Sequence, residues 1–98
     1  MIKIGNNILV LDKPNGTFIV FCEYDTEDVF GDFLKYVHEH FGANITDISQ
    51  KLYLNSAKIN FSFGDATAIF QDGIGCAIRI DQGQSDVVKN IVERCYFL

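Results

Sequence analysis

Along the first 24 residues, apolar side chains come in short runs of strand length. Ile2 to Ile4 and Ile8 to Leu11 are β-rich, with Gly5-Asn6-Asn7 between them as a turn. Lys13-Pro14-Asn15-Gly16 is a second turn, because Pro presets φ while Asn and Gly tolerate positive φ. Thr17 to Tyr24 then returns as a longer strand. Phe18, Val20, Cys22 and Tyr24 share one face; Ile19, Phe21 and Glu23 share the other. Two largely apolar faces predict an interior strand.

The period then changes. Val29, Phe30, Phe33, Leu34, Val37 and Phe41 recur at helical spacing and form one continuous stripe. Asp25 or Thr26 is placed as its N-cap, Glu27 and Asp28 suit the positive end of the helix dipole, and Gly42 suits the C′ position. Residues 43–57 carry no clear period. Ile45, Ile48, Leu52 and Leu54 are compatible with an irregular crossing, a helical turn or a short strand. From Lys58, alternation returns: Ile59, Phe61 and Phe63 mark a half-buried strand and Gly64-Asp65 a turn. Ala66 to Gln71 is the next strand and Asp72-Gly73 a two-residue hairpin turn. The last strand places Ile74, Cys76, Ile78 and Ile80 on one face and Arg79 on the other. Ser85 is placed to cap a closing helix with the stripe Val87, Val88, Ile91, Val92 and Cys95, ending in Tyr96-Phe97-Leu98.

The expected architecture is α+β: one antiparallel sheet of about five strands, with two helices packed on one face, in the order β-β-α-β-β-β-α. At 98 residues the chain reads as one domain, spanning 1–98. Two helices cover only one face of such a sheet. The other inherits Ile19 and Phe21, or Val20 and Cys22, together with residues such as Ile69. Either residues 43–57 cross that face, or it serves a partner or a homodimer.

Composition narrows the function. A net charge of −5 argues against nucleic acid and anionic membranes, both of which are held mainly by Lys and Arg. It suits a basic partner. Cys22, Cys76 and Cys95 are odd in number and widely separated, unlike the even set of a small secreted domain. The first residues lack the apolar core of a signal peptide. No apolar run reaches the roughly 18 residues of a membrane span. The expectation is a cytoplasmic protein.

Catalytic and metal candidates weaken on inspection. The three cysteines fall in strands or on the last apolar stripe, where free thiols are normally buried. His38 and His40 are two apart on a helix and point about 200° away from each other, so flank packing suits them better than shared ligation. Ser49, Ser56, Ser62 and Ser85 lack a nucleophile-elbow context. Asn44-Ile45-Thr46 is a glycosylation sequon that a cytoplasmic chain does not use. Cys95-Tyr96-Phe97-Leu98 fits a prenylation box only loosely. Catalytic residues, metal ligands and cofactors are therefore expected to be none. Glu23, Asp25, Glu27, Asp28 and Asp32 stand out instead: five acids, with no Lys or Arg between Glu23 and Leu34. Asp28 and Asp32 repel at i,i+4 by about 0.2–0.5 kcal/mol. On the expected helix Asp32 lies beyond the capping turn, which marks the group as partner-binding candidates.

Three segments carry a resemblance. They are Ile59-Asn60-Phe61-Ser62-Phe63-Gly64-Asp65, Phe70-Gln71-Asp72-Gly73-Ile74-Gly75-Cys76-Ala77-Ile78 and Ser85-Asp86-Val87-Val88-Lys89-Asn90-Ile91. Together with small size, acidity and element order, this pattern over residues 18 to 95 resembles the immunity proteins of bacterial polymorphic toxins, including those of contact-dependent growth inhibition. That family shares no fixed functional motif, so the resemblance assigns no residue a role. It implies a stoichiometric inhibitor covering a toxin domain, often a basic nuclease. The alternative is a phage or host regulatory adaptor that binds a basic partner.

Overall fold

The computed structural model describes residues 2–4, 7–51 and 54–95. It is α+β, with seven strands in one antiparallel sheet and two α-helices. The strands are β1 (Ile2–Ile4), β2 (Ile8–Lys13), β3 (Gly16–Phe21), β4 (Asn44–Lys51), β5 (Leu54–Phe61), β6 (Gly64–Gln71) and β7 (Gly75–Ile80). The helices are α1 (Phe30–Phe41) and α2 (Ser85–Cys95), and a 3₁₀ turn over Glu27–Val29 precedes α1. The spatial order is β1-β2-β3-β7-β6-β5-β4. A three-strand meander and a four-strand meander thus meet at β3 and β7, and α1 carries the chain from the centre to the far edge.

Two strands exceed the expected five. One is the short β1, which falls on the β-rich run Ile2 to Ile4 already read from the sequence though not counted among the five, and pairs with β2. The other is β4, formed by the stretch with no clear period. It does not cross the open face but extends the sheet as an edge strand paired with β5. An edge strand needs backbone pairing on one side only, so its side chains carry little apolar signal. The Gly5-Asn6 turn, Leu52 and the Tyr96-Phe97-Leu98 end lie outside the described residues.

Register decides which residues meet. Ile8, Val10, Ile19, Phe21, Cys76, Ile78, Ile80, Ala68, Ala57, Ile59 and Phe61 face the helices. They bury Phe30, Phe33, Leu34, Val37 and Phe41 of α1 and Val87, Ile91 and Cys95 of α2. Both helical stripes fall where their spacing predicts, except that Val29 lies in the 3₁₀ turn ahead of α1 and is not part of the buried core. Gly42 ends α1 in the left-handed conformation at φ 63°. Phe21 meets Phe33 at 5.3 Å between ring centroids, and Phe41 meets Phe61 edge-on at 5.9 Å. Arg94 on α2 lies 5.2 Å from the ring centre of Phe63, which itself stacks on Phe61.

The opposite face grades from apolar to polar. Leu9, Val20, Ala77, Ile69 and Ser56 form one row across it; Leu11, Phe18, Arg79, Thr67, Lys58 and Thr46 form the next. Phe18, Val20 and Ala77 are only 6%, 2% and 0% exposed. Leu9, Leu11, Cys22, Ile69 and Ile74 pack around them, so this cluster shields itself.

Two turns differ from expectation. The β5–β6 turn is Ser62-Phe63, because Gly64 already pairs with Phe61. The β6–β7 loop is the three residues Asp72-Gly73-Ile74, with Gln71 opposite Gly75. Ile74 therefore leaves the strand and joins the open-face cluster.

Asn55 is the buried polar exception. It faces the helix side, its backbone opposite Phe70 and Gln50, and its side-chain Nδ2 has no hydrogen-bond partner among the described residues. An orphaned buried donor costs about 1–3 kcal/mol. Asn55→Leu, close in shape, is expected to raise stability by about 1 kcal/mol. A higher urea midpoint at unchanged slope confirms it; a lower midpoint shows that the amide earns its place.

Among the described residues, no helix is long and apolar enough to cross a membrane.

Candidate functional site

The acidic segment is built on the end of β3. After Phe21 the chain turns: the Tyr24 N–H donates to the Phe21 carbonyl at 2.9 Å, and the Cys22 N–H donates to the Asn7 carbonyl at 2.7 Å. The Cys76 N–H donates to the Tyr24 carbonyl at 2.8 Å, tying the turn to the start of β7. Gly75 makes this approach possible. A Cβ there would lie 3.1 Å from the Tyr24 oxygen and 3.2 Å from Asp25 Cα, and its φ is +104°. The Asn7 side-chain amide donates to Glu23 Oε1 at 2.7 Å. Glu23 and Asp25 are thus carried on an anchored turn.

The helix starts later than expected. The chain enters α1 through the 3₁₀ turn, and neither Asp25 nor Thr26 caps the α-helix. Thr26 precedes the 3₁₀ turn and makes no side-chain capping bond. Glu27 and Asp28 lie in that turn, and Asp32 lies in the first turn of α1. The expectation that Asp32 sits beyond the capping turn is corrected. It complements the helix dipole, a contribution of about 0.3–1 kcal/mol at an exposed site.

The structure adds an aromatic component that charge patterning missed. Tyr24 lies 5.6 Å from both Phe33 and Tyr36, and Tyr36 stacks on His40 at 5.4 Å with a 6° interplanar angle. Asp32, Tyr36 and His40 are spaced by four and follow one line along α1. That spacing is the sequence signal that points to them. Burial raises the Tyr24 phenol pKa, and the neighbouring charges of Glu23 and Asp32 raise it further. Burial also pushes Tyr36 up to about 12, with smaller contributions from Cys95, Tyr24 and Glu23. Both phenols stay protonated at neutral pH and present hydroxyls beside carboxylates.

Among the described residues no cation answers these acids. Among the described residues the one ion pair is Lys58 with Asp47 on β4, at 3.5 Å and largely in solvent. Glu23, Asp25, Glu27, Asp28 and Asp32 have none.

The other candidate residues are placed separately. Cys76 and Cys95 are buried, and burial pushes both thiols up to about 12, opposite to the shift a thiolate nucleophile needs. Cys22 lies at the edge of the open-face cluster. His38 Nδ1 bonds the Ala43 carbonyl at 2.7 Å just past the end of α1, whereas His40 stacks on Tyr36. Among the described residues, no three His, Cys, Asp or Glu side chains gather as a metal would require. Comparison with known proteins finds no match to a family model, to a curated protein or to a solved structure.

Proposed function

We propose that the chain is a non-enzymatic protein-binding inhibitor of the immunity type. In this reading, Glu23, Asp25, Glu27, Asp28 and Asp32 dock against the basic domain of a toxin, most naturally a nuclease, and cover its phosphate-binding groove. The observation that carries it is the absence of any ion pair at these five acids among the described residues, on a segment that runs from the turn anchored by the Cys76–Tyr24 hydrogen bond into the first turn of α1. Uncompensated charge on a rigid support speeds association and sets orientation without an ordering cost. Tyr24 and Tyr36 supply what charge alone lacks. Tyrosine is enriched among residues that dominate binding energy, since it buries a large ring and offers a hydroxyl.

The test is partner retrieval from the native cell, followed by association kinetics with the retrieved domain at several salt concentrations. A basic partner is expected, with an association rate that falls steeply as salt rises. The Asp28→Lys/Asp32→Lys double variant is expected to associate about tenfold more slowly at low salt, with a flatter salt dependence. An unchanged rate removes these acids from the interface, and an acidic partner overturns the reading.

A further inference from the structure

The outer edge of β4 is eight residues long and, among the described residues, pairs on one side only. The edge at the other end of the sheet, β1, has three residues. A bulge interrupts β4 between Thr46 and Ser49, where Asp47 takes φ 51°. Bulges and charges commonly blunt sheet edges against pairing. This one does something further: beside it stands Ile48, 55% exposed, the one large hydrophobic side chain in solvent among the described residues. Ile48 borders a shallow groove of about 690 Å³ between α1 and β4, with Leu34 and Ile45 as apolar walls. A blunted edge has no use for an exposed isoleucine.

We propose that β4 is a self-association edge, and that a second copy of this chain pairs with it antiparallel about a two-fold axis at Ser49. The strand is self-complementary about that point. Asp47 then lies opposite Lys51 of the partner subunit, and Lys51 opposite the partner subunit's Asp47. Both charges point to the open face of the sheet. Lys51 shares that side with Ser49, and the Asp47 carboxylate reaches Lys58 there at 3.5 Å. Opposite charges across a strand pair favour it; any register that opposes like charges disfavours it. Ile48 lies on the helix side, opposite the partner subunit's Gln50, with the two Ile48 side chains as diagonal neighbours. Such neighbours stand about 7–8 Å apart, within reach of long side chains. The symmetry is isologous, so each contact occurs twice and the assembly closes as a dimer rather than a fibre.

Sedimentation equilibrium of the full chain across the micromolar range tests this. A concentration-dependent monomer–dimer equilibrium is expected. Ile48→Asp is expected to weaken dimerisation at least about tenfold, a loss of about 1.4 kcal/mol in association free energy. Asp47→Lys and Lys51→Asp should each weaken it, and the two together should regain it, because the double exchange restores opposite charges across the axis. Circular dichroism checks that each variant retains its fold. Three results each overturn the proposal: a wild-type monomer throughout the range, an Ile48→Asp variant that dimerises like the wild type, or a double variant no better than either single one.

Discussion

Replacing Phe33 with Ala is expected to destabilise the fold by about 3–5 kcal/mol, the range for deleting a buried aromatic side chain. Phe33 is fully buried, with Phe21 of β3 at 5.3 Å, Tyr24 at 5.6 Å and Phe30 at 6.4 Å between ring centroids. Its removal opens a cavity where α1, the sheet and the anchored turn meet, and rigid packing limits how far the neighbours collapse into it. Domains of this size are stable by only about 5–15 kcal/mol, so the variant would sit near the folding threshold. The measurement is urea denaturation followed by circular dichroism. A loss below about 1 kcal/mol would show that this ring is not at the centre of the packing. The same substitution should loosen the support of Tyr24 and so reduce partner binding more than charge alone predicts.

The second large effect is expected at Gly16, the first residue of β3. Its φ is +141°, and a Cβ built there would collide with the Ile80 carbonyl oxygen and lie 3.3 Å from its carbon. These are backbone atoms at the end of β7, with no rotamer to escape into. Thr17 pairs with Ile80, so the clash falls on the β3–β7 junction that joins the two meanders. Gly16→Ala combines a strained backbone with displacement of that ladder. A loss of more than about 2 kcal/mol is expected from strain of this kind. Thermal melting gives the magnitude, and amide exchange should show faster opening at Ile78 and Ile80. An alanine variant as stable as the wild type would mean that the two meanders are not held together by this ladder.

How much of this was legible depends on the range of the forces involved. The α1 stripe from Phe30 to Phe41 was readable because helical periodicity is a local property that burial then uses unchanged. The interior position of β3 was readable from its two apolar faces. The strand character of β4 was not. Thr46, Asp47, Ser49 and Gln50 have no shared preference for a strand, and pairing with β5 imposes it. The start of α1 was misplaced for a related reason: several residues suit an N-cap, and the helix begins after a 3₁₀ turn that local preference does not single out.

The opening and closing of the acidic cluster show the same division. Glu23, Asp25, Glu27, Asp28 and Asp32 were visible as an uninterrupted run of charge, because charge needs no partner to be counted. Whether each carboxylate is paired, and what stands beside it, needs three dimensions. Tyr24 and Tyr36 are twelve residues apart and meet only because α1 folds back over the end of β3. Asp32 exchanged its meaning in the process, from an acid without a structural return to one in the first turn of a helix.

By itself, then, the sequence determined the α+β class, the two helical stripes, the burial of Cys76 and Cys95 (Cys22, past the end of β3, is only half-buried) and the acidic run, all set by local periodicity or by composition. The tertiary structure alone decided the edge position of β4, the exposure of Ile48, the lack of ion pairs at the acids among the described residues and the union of Tyr24 with Tyr36. These depend on which distant backbone groups pair, and strand pairing is a choice among registers that no short segment makes alone.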